Sequence, residues 1–232
     1  MPNRKVMESA AEMRRARRPQ AERAYRKYGA QTRELIRQLG SSSQEIHDRA
    51  FDILRRMGEF IVDELLQALD DPTLAPVAVE EVVSLLGATG DKRACEPIWR
   101  FLQEHLDDPE CVSTAALSLA GLGDDRALPF LRAGLESKDE EQVANGVAGM
   151  IMVGLPEDIP LLRQVHRAHR ANREICFGVA NAILTILGET NERTFNRTLD
   201  EIRTSFADRH LWADIWAILE NEFGSPGRPS IH

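Results

Sequence analysis

The sequence predicts an all-α protein in which about five helix pairs stack one after another. Five glycines (Gly58, Gly90, Gly123, Gly154 and Gly188) recur at spacings of 32, 33, 31 and 34 residues. Pro97, Pro129 and Pro160 recur at 32 and 31, each followed by two large apolar residues. A period of that length marks a repeat architecture, because one short helix pair cannot bury its apolar face alone. No segment alternates apolar and polar residues with the period of two that a half-buried strand requires.

Residues 1–18 are expected to form a basic arm, with Arg14, Arg15, Arg17 and Arg18 in one run ahead of Pro19. Residues 19–40 follow as a capping helix, since Ala21, Ala24, Tyr25, Tyr28, Thr32, Leu35, Ile36 and Leu39 fall on one helical stripe. Residues 41–205 carry the repeats. Each pairs an apolar helix A, such as APVAVEEVVSLLG or QVANGVAGMIMVG, with a glycine-bearing turn and a helix B that has proline in its first turn. In the first pair, helix B begins at Glu59 with no loop between. Asp71-Pro72 and Asp108-Pro109 look like helix starts, a capping carboxylate before a proline at the first turn. Leu211, Trp212, Ile215, Trp216 and Leu219 give 206–223 one apolar face, that of a C-terminal capping helix. The tail 224–232 is expected to be disordered.

Composition narrows the function. Of 232 residues, 43% are hydrophobic and 28% charged, which excludes disordered and collagen-like chains. No stretch reaches the roughly 18 apolar residues of a membrane span, and the first 30 residues lack the apolar core of a secretory signal. Three scattered cysteines without a CxxC pair fit a reducing, cytoplasmic setting better than a disulfide framework. Residues 1–39 hold 11 of the 29 basic and 4 of the 37 acidic residues, a net +7, which leaves −15 on the rest. An acidic body argues against a nucleic-acid groove, because phosphate neutralisation supplies most of that affinity. There is no nucleophile motif, phosphate loop or paired-carboxylate signature. His166 and His169 stand at i, i+3, but the sequence places no third ligand beside them, so no metal and no cofactor are expected.

The segments GDKRACEP from Gly90 and GDDRALPF from Gly123, each followed by an apolar run, an acidic turn and an alanine-rich helix, resemble the HEAT-repeat family. More narrowly, they resemble the short HEAT-like repeats of phycobilisome lyases. The third unit departs from the pattern at Leu155-Pro156-Glu157-Asp158, and the fourth lacks both Arg-Ala and proline. The resemblance spans about residues 43–205. It implies a right-handed α–α superhelix whose B helices line the ligand-binding face.

On that face the repeat register places Arg100, Arg132, Arg163 and Arg197 at equivalent helix-B positions. Arg163, His166, Arg167 and Arg170 lie at i, i+3, i+4 and i+7, one face of one helix without an acid. Guanidinium groups suit carboxylates because their donors bind bidentately. The seven residues together read as a site for an acidic protein partner. Against this, Glu104, Glu136 and Glu201 stand four residues after Arg100, Arg132 and Arg197, so local pairing is the alternative. The leading expectation is a non-enzymatic interaction scaffold. A bilin-lyase-like handler of chromophore propionates is the alternative that the resemblance implies, and a HEAT-like DNA glycosylase ranks below it. Oligomeric state is not legible.

Overall fold

Proline and asparagine place several helix starts in the computed structural model, which describes residues 29–223. Pro109 takes the first turn of a helix behind Asp108, whose carboxylate accepts from the Glu110 and Cys111 amides. Asp139 and Asn172 cap the next two A helices in the same way. Asp71 behaves differently. It accepts from the backbone N–H and hydroxyl of Thr73 in a turn, and the helix begins at Pro76 behind Ala75. Pro76 lacks the N–H that a first-turn position leaves unpaired, so it starts the helix in place of Pro72.

The helices are α1 (29–38), α2 (Gln44–Met57), α3 (Val62–Leu69), α4 (Pro76–Thr89), α5 (Cys95–Glu104) and α6 (Pro109–Gly121). They continue with α7 (Leu128–Leu135), α8 (Glu140–Val153), α9 (Ile159–Ala168), α10 (Arg173–Gly188), α11 (Glu192–Thr204) and α12 (Arg209–Phe223). The described residues contain no strand. The basic arm 1–18, the tail 224–232, and Ala21, Ala24, Tyr25 and Tyr28 of the expected capping stripe lie outside them.

Two compact units divide the chain at Phe101 and Leu102. In the first, Ile36 of α1, Leu39 in the turn after it, Leu54 of α2, Leu65 of α3, and Val82 and Leu86 of α4 form the core. Between α2 and α3 there is only a 3-10 turn, Gly58–Ile61, so the first pair is joined without a loop.

In the second unit α8 lies between α6 and α10, and α7 packs across α6 and α8. An A helix covered on two sides must be apolar around most of its girth. Accordingly α10 buries Ile175, Cys176, Val179, Ala180, Ala182, Ile183, Ile186 and Leu187. Small residues set the spacing between helices. A Cβ on Gly146 of α8 would lie 3.0 Å from the Leu131 carbonyl of α7.

The Gly-Asp-x-Arg signature forms a local clip, and in the first one Arg93 also reaches Asp63 at 2.7 Å. Gly90 and Gly123 turn the chain at φ +72° and +64°, where residues with a Cβ are strained. Asp91 and Asp124 then cap the next turn by accepting the Arg93 and Arg126 amides. Each arginine holds its capping carboxylate in a fork, with Nη2–Oδ2 distances of 2.8 Å in both clips.

Capping carries a measurable prediction. Asn172 accepts from the Glu174 and Ile175 amides at 3.1 and 3.2 Å. Asn172→Ala should cost about 1 kcal/mol, and Asn172→Gly only a few tenths, because glycine leaves those amides open to water. Urea unfolding of the two variants beside wild type reads the difference.

Candidate functional site

Four arginines share a register in the sequence, and the structure gives them different surroundings. Arg132 on α7 donates through Nε to Asp158 at 2.6 Å and through Nη2 to Glu157 at 3.4 Å. Asp158 closes the 3-10 turn Pro156–Asp158 ahead of α9 and accepts the Leu155 amide as well. Arg163 on α9 repeats this arrangement one helix later. Its Nη2 and Nε lie 2.6 and 3.1 Å from Asp208, which closes the turn Phe206–Asp208 ahead of α12. Since α9 lies against both α7 and α12, α12 stands to α9 as α9 stands to α7. Arg197, on α11, stays outside this series. It makes the i,i+4 contact with Glu201 at 3.9 Å in solvent. Arg100 faces Asp70 at 3.9 Å, again in solvent. Arg132 takes Asp158 in place of Glu136 because a buried carboxylate gains far more from a cation than an exposed one does.

The rest of the third-repeat cluster meets the same C-terminal segment. Arg167 donates through Nε to the Arg163 carbonyl at 2.9 Å and lies 3.4 Å from Asp208. Arg170 donates to the Ala207 carbonyl at 3.1 Å. His166 is fully buried, with Nε2 2.9 Å from Asp214 of α12. Arg173 takes the other oxygen of Asp214 at 2.8 Å. Burial by itself would raise the carboxyl of Asp208. Hydrogen bonds from Arg163 and Ser205 and the charges of Arg163 and Arg167 outweigh it and hold the group below its ordinary value.

Three residues of this region lay beyond sequence reasoning, although each left a trace. Asp208 stands three residues after Ser205, just as Asp158 stands three after Leu155. Asp214 interrupts the apolar run Leu211-Trp212-Ala213-Asp214-Ile215 on a helix whose buried positions are 211, 214, 215 and 218. Phe206, in the turn that presents Asp208, is 81% exposed, the most exposed large apolar side chain of the described residues. The guanidinium of Arg209 sits over its ring, 4.7 Å from the centroid. Trp212 and Trp216, expected on the apolar face of the capping helix, are half-buried and packed on one another at 5.9 Å.

The first unit has a groove of its own. Leu35, Ile46, Ile53 and Met57 line about 610 Å³ between α1 and α2.

A profile of HEAT repeats matches residues 62–152. Residues 62–152 carry HEAT repeats. The chain's HEAT-like pairs are similar to a solved complex of CpcE and CpcF of phycocyanin lyase from Nostoc sp. PCC7120. That similarity is at 20% identity and a TM-score of 0.47, over 81% of this chain and 78% of that one. They are also similar to a designed armadillo repeat protein in complex with the peptide (KR)4. There identity is 17% and the TM-score 0.46, over 81% of this chain and 98% of that one. No curated protein matches the chain. Among the described residues, no helix is long and apolar enough to cross a membrane.

Proposed function

We propose that this HEAT-repeat chain is a non-enzymatic interaction scaffold that binds an acidic segment of a protein partner. The binding edge is the turn Phe206–Asp208 with the adjoining ends of α9 and α12. One observation carries this reading: the exposed Phe206 ring with the Arg209 cation stacked on it. Exposed aromatics flanked by arginine are the residue types that concentrate binding energy at protein interfaces. Arg170 donates into the same turn from an exposed position just past the end of α9, which adds positive charge beside the ring. A partner presenting an apolar side chain among carboxylates fits that combination.

Of the stripe read from the sequence, Arg170, Arg197 and Arg100 are the members whose side chains face solvent. Arg132, Arg163, His166 and Arg167 hold the fold, and their support of the edge is indirect.

The test is a pair of variants on the full chain, Phe206→Ser and Arg170→Glu, with the partner captured from lysate and its affinity then measured directly. Loss of a contact of this kind costs about 2 kcal/mol or more, so each variant should weaken binding at least tenfold. Added salt should weaken the wild-type complex too. A partner held equally by all three proteins places binding elsewhere on the repeats. Arg163 and Arg167 make poor probes, because their removal strands the buried Asp208.

A further inference from the structure

We infer that His166, Cys176 and Asp214 form a binding site for a thiophilic divalent cation, zinc foremost, in the core of the second unit. The three side chains come from α9, α10 and α12, and all are buried. One donor atom from each lies within 4.8 Å of the other two. Imidazole nitrogen, thiolate sulfur and carboxylate oxygen are the donor types that zinc takes, and a thiolate selects it over hard cations such as magnesium. The sequence offered His166 with His169 as a pair. The fold separates them: His169 turns to Glu140 at 4.0 Å, and His166 gains Cys176 and Asp214 in its place.

The separation of the nitrogen and oxygen donors suits an ion there. His166 Nε2 and Asp214 Oδ2 are 2.9 Å apart, which two metal bonds of about 2.0–2.1 Å span at close to a right angle. Opening that separation by about half an ångström gives the tetrahedral angle. Arg173 holds Asp214 Oδ1 at 2.8 Å and leaves Oδ2 to the ion, the outer partner that fixes a ligating carboxylate. On binding, the Cys176 thiol proton passes to solvent. The Nε2 proton that His166 donates to Asp214 in the free protein is also displaced to solvent, and Nδ1 takes one up, so the imidazole stays neutral with its single proton on Nδ1. Thiolate and carboxylate then balance the double charge of the ion, and a water takes the fourth position. Three ligands on three helices make the ion a staple of α12 onto α9 and α10, a role separate from binding at the Phe206 edge.

The experiment uses the untagged full chain, stripped with a chelator and dialysed against zinc or cobalt(II). About one zinc per chain should be retained, and cobalt should give a near-ultraviolet thiolate charge-transfer band. A Cys95→Ala/Cys111→Ala background should keep the band, and Cys176→Ser should lose it. Zinc should raise the melting temperature of wild type and leave that of Cys176→Ser unchanged. If Cys176→Ser does not fold, the wild-type and background spectra decide alone. Metal content near zero after dialysis, or a cobalt spectrum without the thiolate band, overturns the assignment.

Discussion

Asp208→Ala is expected to lower the stability of the second unit by about 3 kcal/mol, several times the effect of an ordinary surface substitution. Asp208 is 1% exposed and receives two hydrogen bonds from Arg163, while Arg167 lies 3.4 Å away. Removing the carboxylate leaves two guanidinium groups against the protein with no counter-charge. Breaking a buried pair from one side costs about 3–5 kcal/mol. Arg163 retains 21% exposure and can turn toward water, which places the value at the lower end. Because the folded protein holds the Asp208 carboxyl below its ordinary value of 3.8, its contribution is complete above that pH and is lost as pH falls through the lower folded value. Asp208→Asn keeps the shape and removes the charge. The gap between wild type and Asp208→Asn in urea unfolding should therefore be wide at neutral pH and close below about pH 4. A gap that stays constant with pH would assign the cost to packing and not to the ion pair.

The same residues separate what was legible in the sequence from what was not. Helix pairs, their turns and their order follow from local signals: the glycine and proline registers, the apolar periods and the Asp91 and Asp124 clips all act within a few residues. The positive run was legible for the same reason, since Arg163, His166 and Arg167 share α9; the expected helix runs too far only at Arg170, which falls in the turn after Ala168. Their partners were not legible. Asp208 lies 45 residues from Arg163, and Asp214 lies 48 from His166. No local period links residues that far apart, so the carboxylates that the chain itself brings to Arg132, Arg163 and His166 have no signal in the stripe. The start of α4 was missed for a smaller reason. Asp71 engages the turn at Thr73 with its carboxylate, and the helix begins at Pro76 instead. Phe206 escaped because a phenylalanine in a short turn ahead of an apolar helix reads as core, and its exposure depends on what the fold leaves uncovered.

The glycine register supplies the other large effect, because one spacing conceals different physical needs. Gly90 stands at φ +72° with nothing near its missing Cβ, so Gly90→Ala should cost about 1 kcal/mol from backbone strain alone. Gly154 has an ordinary φ of −62°, and any residue could adopt its backbone. Its constraint is space. A Cβ there would collide with the carbonyl of Met150 and lie 2.7 Å from Cδ1 of Ile186, a side chain of α10 that is itself buried. A backbone oxygen cannot swing aside as a side-chain end can, so Gly154→Ala must shift the end of α8 against α10. The expected loss is about 3 kcal/mol, the upper part of the range for overpacked cores. Gly188 ends α10 with open space around it, and there alanine relieves the entropy of an unbranched backbone. Gly188→Ala should therefore be neutral or stabilising by up to about 1 kcal/mol. Chemical unfolding of the three alanine variants orders them as Gly154, Gly90, Gly188 from largest loss to gain. A Gly154→Ala protein as stable as Gly188→Ala would mean that α8 and α10 are not packed at the spacing described, and would undo the close-approach explanation for the repeat glycine.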